Sequence, residues 1–208
     1  MECRERSLHG ERSFFCAIFP AFIILPDLCY ISESPVNVMR SKGRKLMHPE
    51  IKHLLGLLDE AYKRAAWHGP NLRGSIRGLT AREAAWRPKA GRHNIWEIVV
   101  HAAYWKYTVT RRLLGEKRGS FSLPGSNWFI RPADRSEKAW RADIILLERE
   151  HQRLRAAVSE LKPESLDRSA RGSKTLTRRL IAGIALHDVY HAGQIQLIKR
   201  LLRAEKSR

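Results

Sequence analysis

The chain has 208 residues, 43% of them hydrophobic, enough for one substantial core and for a single globular unit with an appendage. Its 39 Lys and Arg against 21 Asp and Glu leave +18, which admits nucleic acid, an anionic membrane or an acidic small molecule as partner. Cys3, Cys16 and Cys29 are the only cysteines, so the chain beyond them offers neither a disulfide framework nor a thiolate ligand, which suits a reducing cytoplasm.

The first 46 residues contain the most hydrophobic stretch, "SFFCAIFPAFIILPDLCYI". Pro20, Pro26 and Asp27 break it well below the roughly 18 uninterrupted apolar residues of a membrane span. No small-x-small cleavage site follows it, as a secretory signal would require. Residues 1–46 are therefore expected to be a poorly structured, dispensable N-terminal extension, and the folded domain to cover 47–208. That extension carries seven basic and five acidic residues, so +16 stays with the fold. The basic residues are spread over the elements, as at Arg64, Arg111, Arg112, Arg153, Arg178 and Arg200, with no basic run interleaved with aromatics. This describes a solvated basic surface better than a nucleic-acid groove, although nucleic acid stays as a lesser partner class.

Four long stretches follow with helical period and none with strand alternation, so the protein reads as all-α. The first, about 49–66, aligns Ile51, Leu55, Leu58, Tyr62 and Ala65. The second opens at Asn94 with Glu97 three residues on, the spacing of a capping box, and stops at Gly115. It turns Ile95, Ile98, Val99, Ala102, Trp105 and Val109 inward. The third starts after "RPADRSE", where Asp134 and Glu137 share that capping spacing, and carries Trp140, Ile144, Leu147, Leu154, Val158 and Leu161. The fourth runs from about Thr175 to Leu202. Four such amphipathic helices bury their stripes best as a four-helix bundle, with the long connections 67–93 and 116–133 placed at one end as the rim of a site.

The last helix poses a chemical problem. At 100° per residue, His187 and His191 of "ALHDVYHAGQIQLIKRLL" fall near the centre of its apolar stripe. Two imidazoles without partners in an apolar core cost several kcal/mol, and the helix backbone cannot satisfy them. The i, i+4 spacing lets both rings converge on one cation. A third ligand must come from another helix: His101 flanks the stripe of the second, and His151 lies at the centre of the third. "HDVYH" also resembles the H-E-x-x-H of zinc peptidases. Asp188 is short for the catalytic glutamate, however, and the residues after His191 supply no obvious further ligand. Asp188 is better read as a support or capping group, with Tyr190 and Gln194 flanking the site and able to orient a ligand or substrate.

"NIWEIVVHAAYWKYTVTRRLLG" and "ALHDVYHAGQIQLIKRLL", with the upstream "LTAREAAWRP", resemble the DinB-like (YfiT-type) superfamily over about residues 47–204. The resemblance implies an antiparallel four-helix bundle with a crossover connection and one divalent metal ion held by His101, His187 and His191. Zinc or nickel leads, and iron and manganese stay in the set. His151, Asp188, Tyr190, Gln194 and Trp105 are left as supporting or substrate-contacting candidates. Three imidazoles leave a coordination position open, which is the pattern of a reacting centre rather than of a structural zinc. Some members of that superfamily are transferases that use low-molecular-weight thiols. The expectation is therefore a metal-dependent thiol S-transferase or hydrolase acting on a small molecule, with a non-catalytic metal-dependent binding or stress-response module as the alternative. A homodimer stays open, and no membrane partner is expected.

Overall fold

The computed structural model describes residues 47–132 and 134–207, so the expected extension lies outside the described residues. The chain there forms α1 (Pro49–Tyr62), α2 (Leu72–Ser75), α3 (Ala81–Ala85), α4 (Ile95–Leu114), α5 (Glu137–Ser159) and α6 (Thr177–Lys206). The expected all-α bundle is what these residues form. None of these helices is long and apolar enough to cross a membrane.

Local chemistry sets most boundaries. Asn94 accepts from the Glu97 N–H while the Glu97 carboxylate accepts from the Asn94 N–H, so the capping box read from sequence opens α4. Gly115 closes it at φ 70°, in the left-handed region where glycine carries no steric penalty. The start of α5 differs from expectation. Ser136 caps it by accepting from the Ala139 N–H, and Asp134 instead accepts from the Ser136 N–H and hydroxyl. A side-chain turn within the loop outcompetes the longer capping reach. α6 starts two residues later than expected and continues four residues beyond Leu202, where Lys206 pairs with Glu83.

Helix direction follows from which residues meet. Trp96 of α4 donates to Asp143 of α5 at 2.6 Å, while Val109 shares an apolar cluster with Leu154 and Val158, so α4 and α5 run parallel. His101 meets His191, and Val109 clusters with Ile181 and Ile184, so α6 runs opposite to both. Asp59 and Tyr62 of α1 contact Arg155 and Glu148 respectively, which makes α1 antiparallel to α5. The connection 67–93 caps one end of the bundle through α2 and α3, as expected. Residues 116–133 do not. Because α4 and α5 are parallel, residues 116–132 must travel the length of the bundle, and they bring Asn127 beside His101 and Arg131 beside Glu97 on the way.

The core has two apolar halves. Trp96, Trp140, Ile95, Ile98, Leu147 and Ile195 anchor the half under α2 and α3. Leu54, Leu58, Leu154, Val158, Ile181 and Ile184 anchor the other. Both histidine-bearing helices, α4 and α6, contribute to each half, and their histidines fall near mid-helix. The site is thus built where two hydrophobic clusters meet.

Candidate metal centre

The three histidines singled out by sequence come together. His101 Nε2 lies 3.2 Å from His187 Nε2, and His191 Nε2 lies 3.0 Å from the same atom. His101 and His191 are buried and His187 is half-buried. Donors held by one tetrahedral ion at bonds of about 2.0–2.1 Å stand about 3.3 Å apart, close to this spacing.

The outer ring nitrogens decide what the inner ones can do. His101 Nδ1 donates to the Asn127 carbonyl at 2.8 Å, and His191 Nδ1 donates to Gln194 Oε1 at 2.7 Å. Each ring is thereby fixed in the tautomer whose Nε2 carries a lone pair. Both lone pairs point at His187 Nε2, which can carry one hydrogen and satisfy one of them. The buried Nδ1 of His187 has no hydrogen-bond partner among the described residues. A cation among the three nitrogens satisfies all the lone pairs at once, and the donor set therefore fits a divalent metal. Burial drives the rings toward the neutral form this requires, taking His101 down to about 4 and His187 to about 3 and lowering His191 as well.

The surrounding candidates divide clearly. Trp105 donates to the Asn127 side chain at 3.0 Å, so it holds the residue whose carbonyl orients His101. Asn127 reaches both partners from a left-handed backbone at φ 63°, a conformation asparagine tolerates. Tyr190 is exposed, and its hydroxyl accepts from Gln194 Nε2 at 2.9 Å, which turns the amide oxygen toward His191. Gln194 and Tyr190 thus act as a pair. Asp188 is not part of the trio. It is fully buried in an ion pair with Lys106, also fully buried. Burial pushes the Asp188 carboxyl up, and Lys106 pulls it back.

His151 also lies outside the trio. It stacks on Tyr62 with ring centroids 3.8 Å apart, its Nε2 is 4.0 Å from an Asp59 oxygen that Arg155 already holds, and neither ring nitrogen has a hydrogen-bond partner among the described residues. Burial pulls its pKa from the ordinary 6.5 down to about 2. A depressed histidine contributes stability that is whole above about pH 6.5 and is lost as pH falls toward its folded value, because the unfolded chain takes up the proton first. His151→Phe is therefore expected to flatten the loss of stability between pH 6.5 and 4.5 by up to about 1.4 kcal/mol per pH unit. Urea unfolding across that range reads the slope, and parallel wild-type and variant curves would contradict it.

Four contributors escaped the sequence reading. Trp128 stacks on His101 at 3.8 Å and, through its other face, on His93 at 3.6 Å. Asn127 supplies a backbone atom, which leaves no residue-type signature. Lys106 did leave one, since a lysine four residues after Ala102 on an apolar stripe needs a buried counter-charge. His93 sits in a loop, where period says nothing.

No curated protein and no solved structure matches the chain. A family model described as the DinB superfamily matches residues 64–195, a span that holds the three histidines, all of α4, the first two thirds of α6 and the crossing segment that orients His101. That match covers more than half of the sequence, and the chain belongs to the DinB superfamily.

Proposed function

We propose that this protein is a divalent-metal-dependent enzyme acting on a small molecule, as a transferase of the thiol S-transferase type or as a hydrolase, with His101, His187 and His191 holding the metal. The observation that carries the reading is the pair of fixed tautomers: Asn127 and Gln194 occupy the Nδ1 hydrogens of His101 and His191, so both Nε2 lone pairs are presented inward. Zinc or nickel suits three imidazoles, with iron or manganese behind them. When bound, such an ion supplies the Lewis acidity that makes a thiol or a water nucleophilic near neutral pH. The chain's own groups do the rest. The Trp128 ring lies over one face of His101 and shields it from water. Trp105 and Asn127 lock the ring plane, and Tyr190 with Gln194 locks His191. Three protein donors leave room for a substrate atom beside them.

Elemental analysis of purified protein, followed by chelation, metal add-back and a screen of low-molecular-weight thiols against activated electrophiles and of simple esters, tests this. Expected are about one divalent ion per chain and a turnover lost on chelation and restored by zinc or nickel. In the transfer, the thiol gives up its proton as its sulfur bonds to the electrophilic carbon and the leaving group departs. Metal-replete protein that turns over none of the panel would leave a metal-dependent binding module. Tight binding of DNA, steeply salt-dependent and indifferent to chelation, would shift the reading to the basic surface.

A further inference from the structure

Between the second half of α6 and the loop entering α4 lies a cleft of about 490 Å³, within the range of about 300–1,000 Å³ usual for small-molecule sites. Ile98, Leu197, Ile198 and Leu201 make it apolar, and the exposed Lys89 and Arg92 line it on the loop side. Leu197 and Leu201 are 58% and 45% exposed, two large apolar side chains one helical turn apart and open to solvent. Two further walls are shared with the histidine trio. Trp128 stacks on His101, and Gln194 accepts from His191. A molecule filling the cleft therefore lies one side chain away from two of the three histidines.

The loop that brings the cations is built rather than loose. Arg87 binds Glu97 through two contacts of 2.6 and 3.0 Å and also donates to the Arg92 carbonyl, while His93 meets Glu97 at 3.0 Å. Lys89 and Arg92 are thus presented by a segment pinned at both ends to α4. Glu97 is taken up by Arg87 and His93, and no salt bridge among the described residues engages Lys89 or Arg92. Two cations without a counter-charge beside an apolar trough match a ligand with an anionic head and an apolar body.

We propose that this cleft is the substrate subsite and that it takes a small amphipathic anion, its carboxylate held by Lys89 and Arg92 and its apolar body laid against Leu197, Leu201 and Ile98. Its role as a substrate subsite rests on the proposed metal chemistry. The binding does not, because none of the groups named touches a metal. The assay accordingly uses metal-stripped full-length chain, titrated with octanoate and with octanol by calorimetry.

Octanoate is expected to bind one per chain, about tenfold more tightly than octanol at low salt, with the difference shrinking at high salt. K89E/R92E should bring octanoate to the octanol level or below it, since two carboxylates would then repel the ligand's own, and leave octanol unchanged. Leu201→Asp should weaken both, and Arg118→Glu, outside the cleft, neither. Equal affinity for the two ligands, octanoate binding indifferent to K89E/R92E, or no binding at all would overturn the proposal. So would a dimer that Leu201→Asp converts to monomer in a chain that does not bind octanoate, because the cleft would then belong to a second copy. Octanoate binding by a chain that elemental analysis finds unable to hold metal would sink the metal reading and leave the subsite standing.

Discussion

Alanine in place of His101, His187 or His191 is expected to abolish metal retention one position at a time. Removing a group that merely orients a ligand costs about 10- to 100-fold in metal affinity, so removing a ligand should exceed about 100-fold. The graded series follows from the contacts: Gln194→Ala, which frees the outer nitrogen of His191, should cost about tenfold, and His151→Phe, which is not part of the trio, should leave occupancy unchanged. Added zinc or nickel should raise the melting temperature of wild type, because an ion that binds only the folded state stabilises it by mass action. It should leave His187→Ala unmoved. Metal content and melting curves read both effects. Full occupancy in any of the three alanine variants would remove that residue from the ligand set, and a loss at His151 equal to the others would make it a fourth ligand and close the reacting position.

The second large effect lies one residue along α6. Lys106 and Asp188 are both fully buried and pair with each other, and the Lys106 ammonium lies 5.0 Å from the centre of the Tyr62 ring. Lys106→Met keeps the length of the side chain and strands Asp188, whose second oxygen already lacks a partner among the described residues. Breaking one half of such a pair costs about 3–5 kcal/mol, because an uncompensated charge stays in a dry interior. For a domain of this size that lowers the melting temperature by about 10 °C. The double variant Lys106→Met/Asp188→Leu should recover most of the loss, since removing both charges also removes their desolvation. A Lys106→Met protein as stable as wild type would mean that Asp188 is readily protonated or reached by water, and that the pair is not a structural element. A single variant that is unstable with no recovery in the double would assign Asp188 a role beyond the pair.

The legible part of this protein was the part written at short range. Helix period placed α4, α5 and α6 and the apolar faces they bury, and Asn94 with Glu97 and then Gly115 bounded α4 to the residue, because caps depend on side chains three or four positions away. Chemistry at i, i+4 was equally legible: His187 and His191 on an apolar stripe have no bland explanation, and only the choice between His101 and His151 remained. Their helical positions could not make that choice, since both lie on or beside an inward stripe. Packing separates the two, stacking His151 on Tyr62 and bringing His101 within 3.2 Å of His187.

What the tertiary structure alone decided are contacts between residues far apart in sequence. Asn127 orients His101 from 26 positions away, and Lys106 neutralises Asp188 from 82. Neither depends on a local period or a motif. They arise because α4 and α5 run parallel, which forces residues 116–132 to travel along the bundle past the histidines instead of turning at one end. The sequence by itself determined that two imidazoles one helical turn apart face the inside of an all-α core, where each polar group left unpaired costs several kcal/mol. Which groups meet them was settled by the order in which the helices pack, and that order is a property of the whole chain rather than of any segment of it.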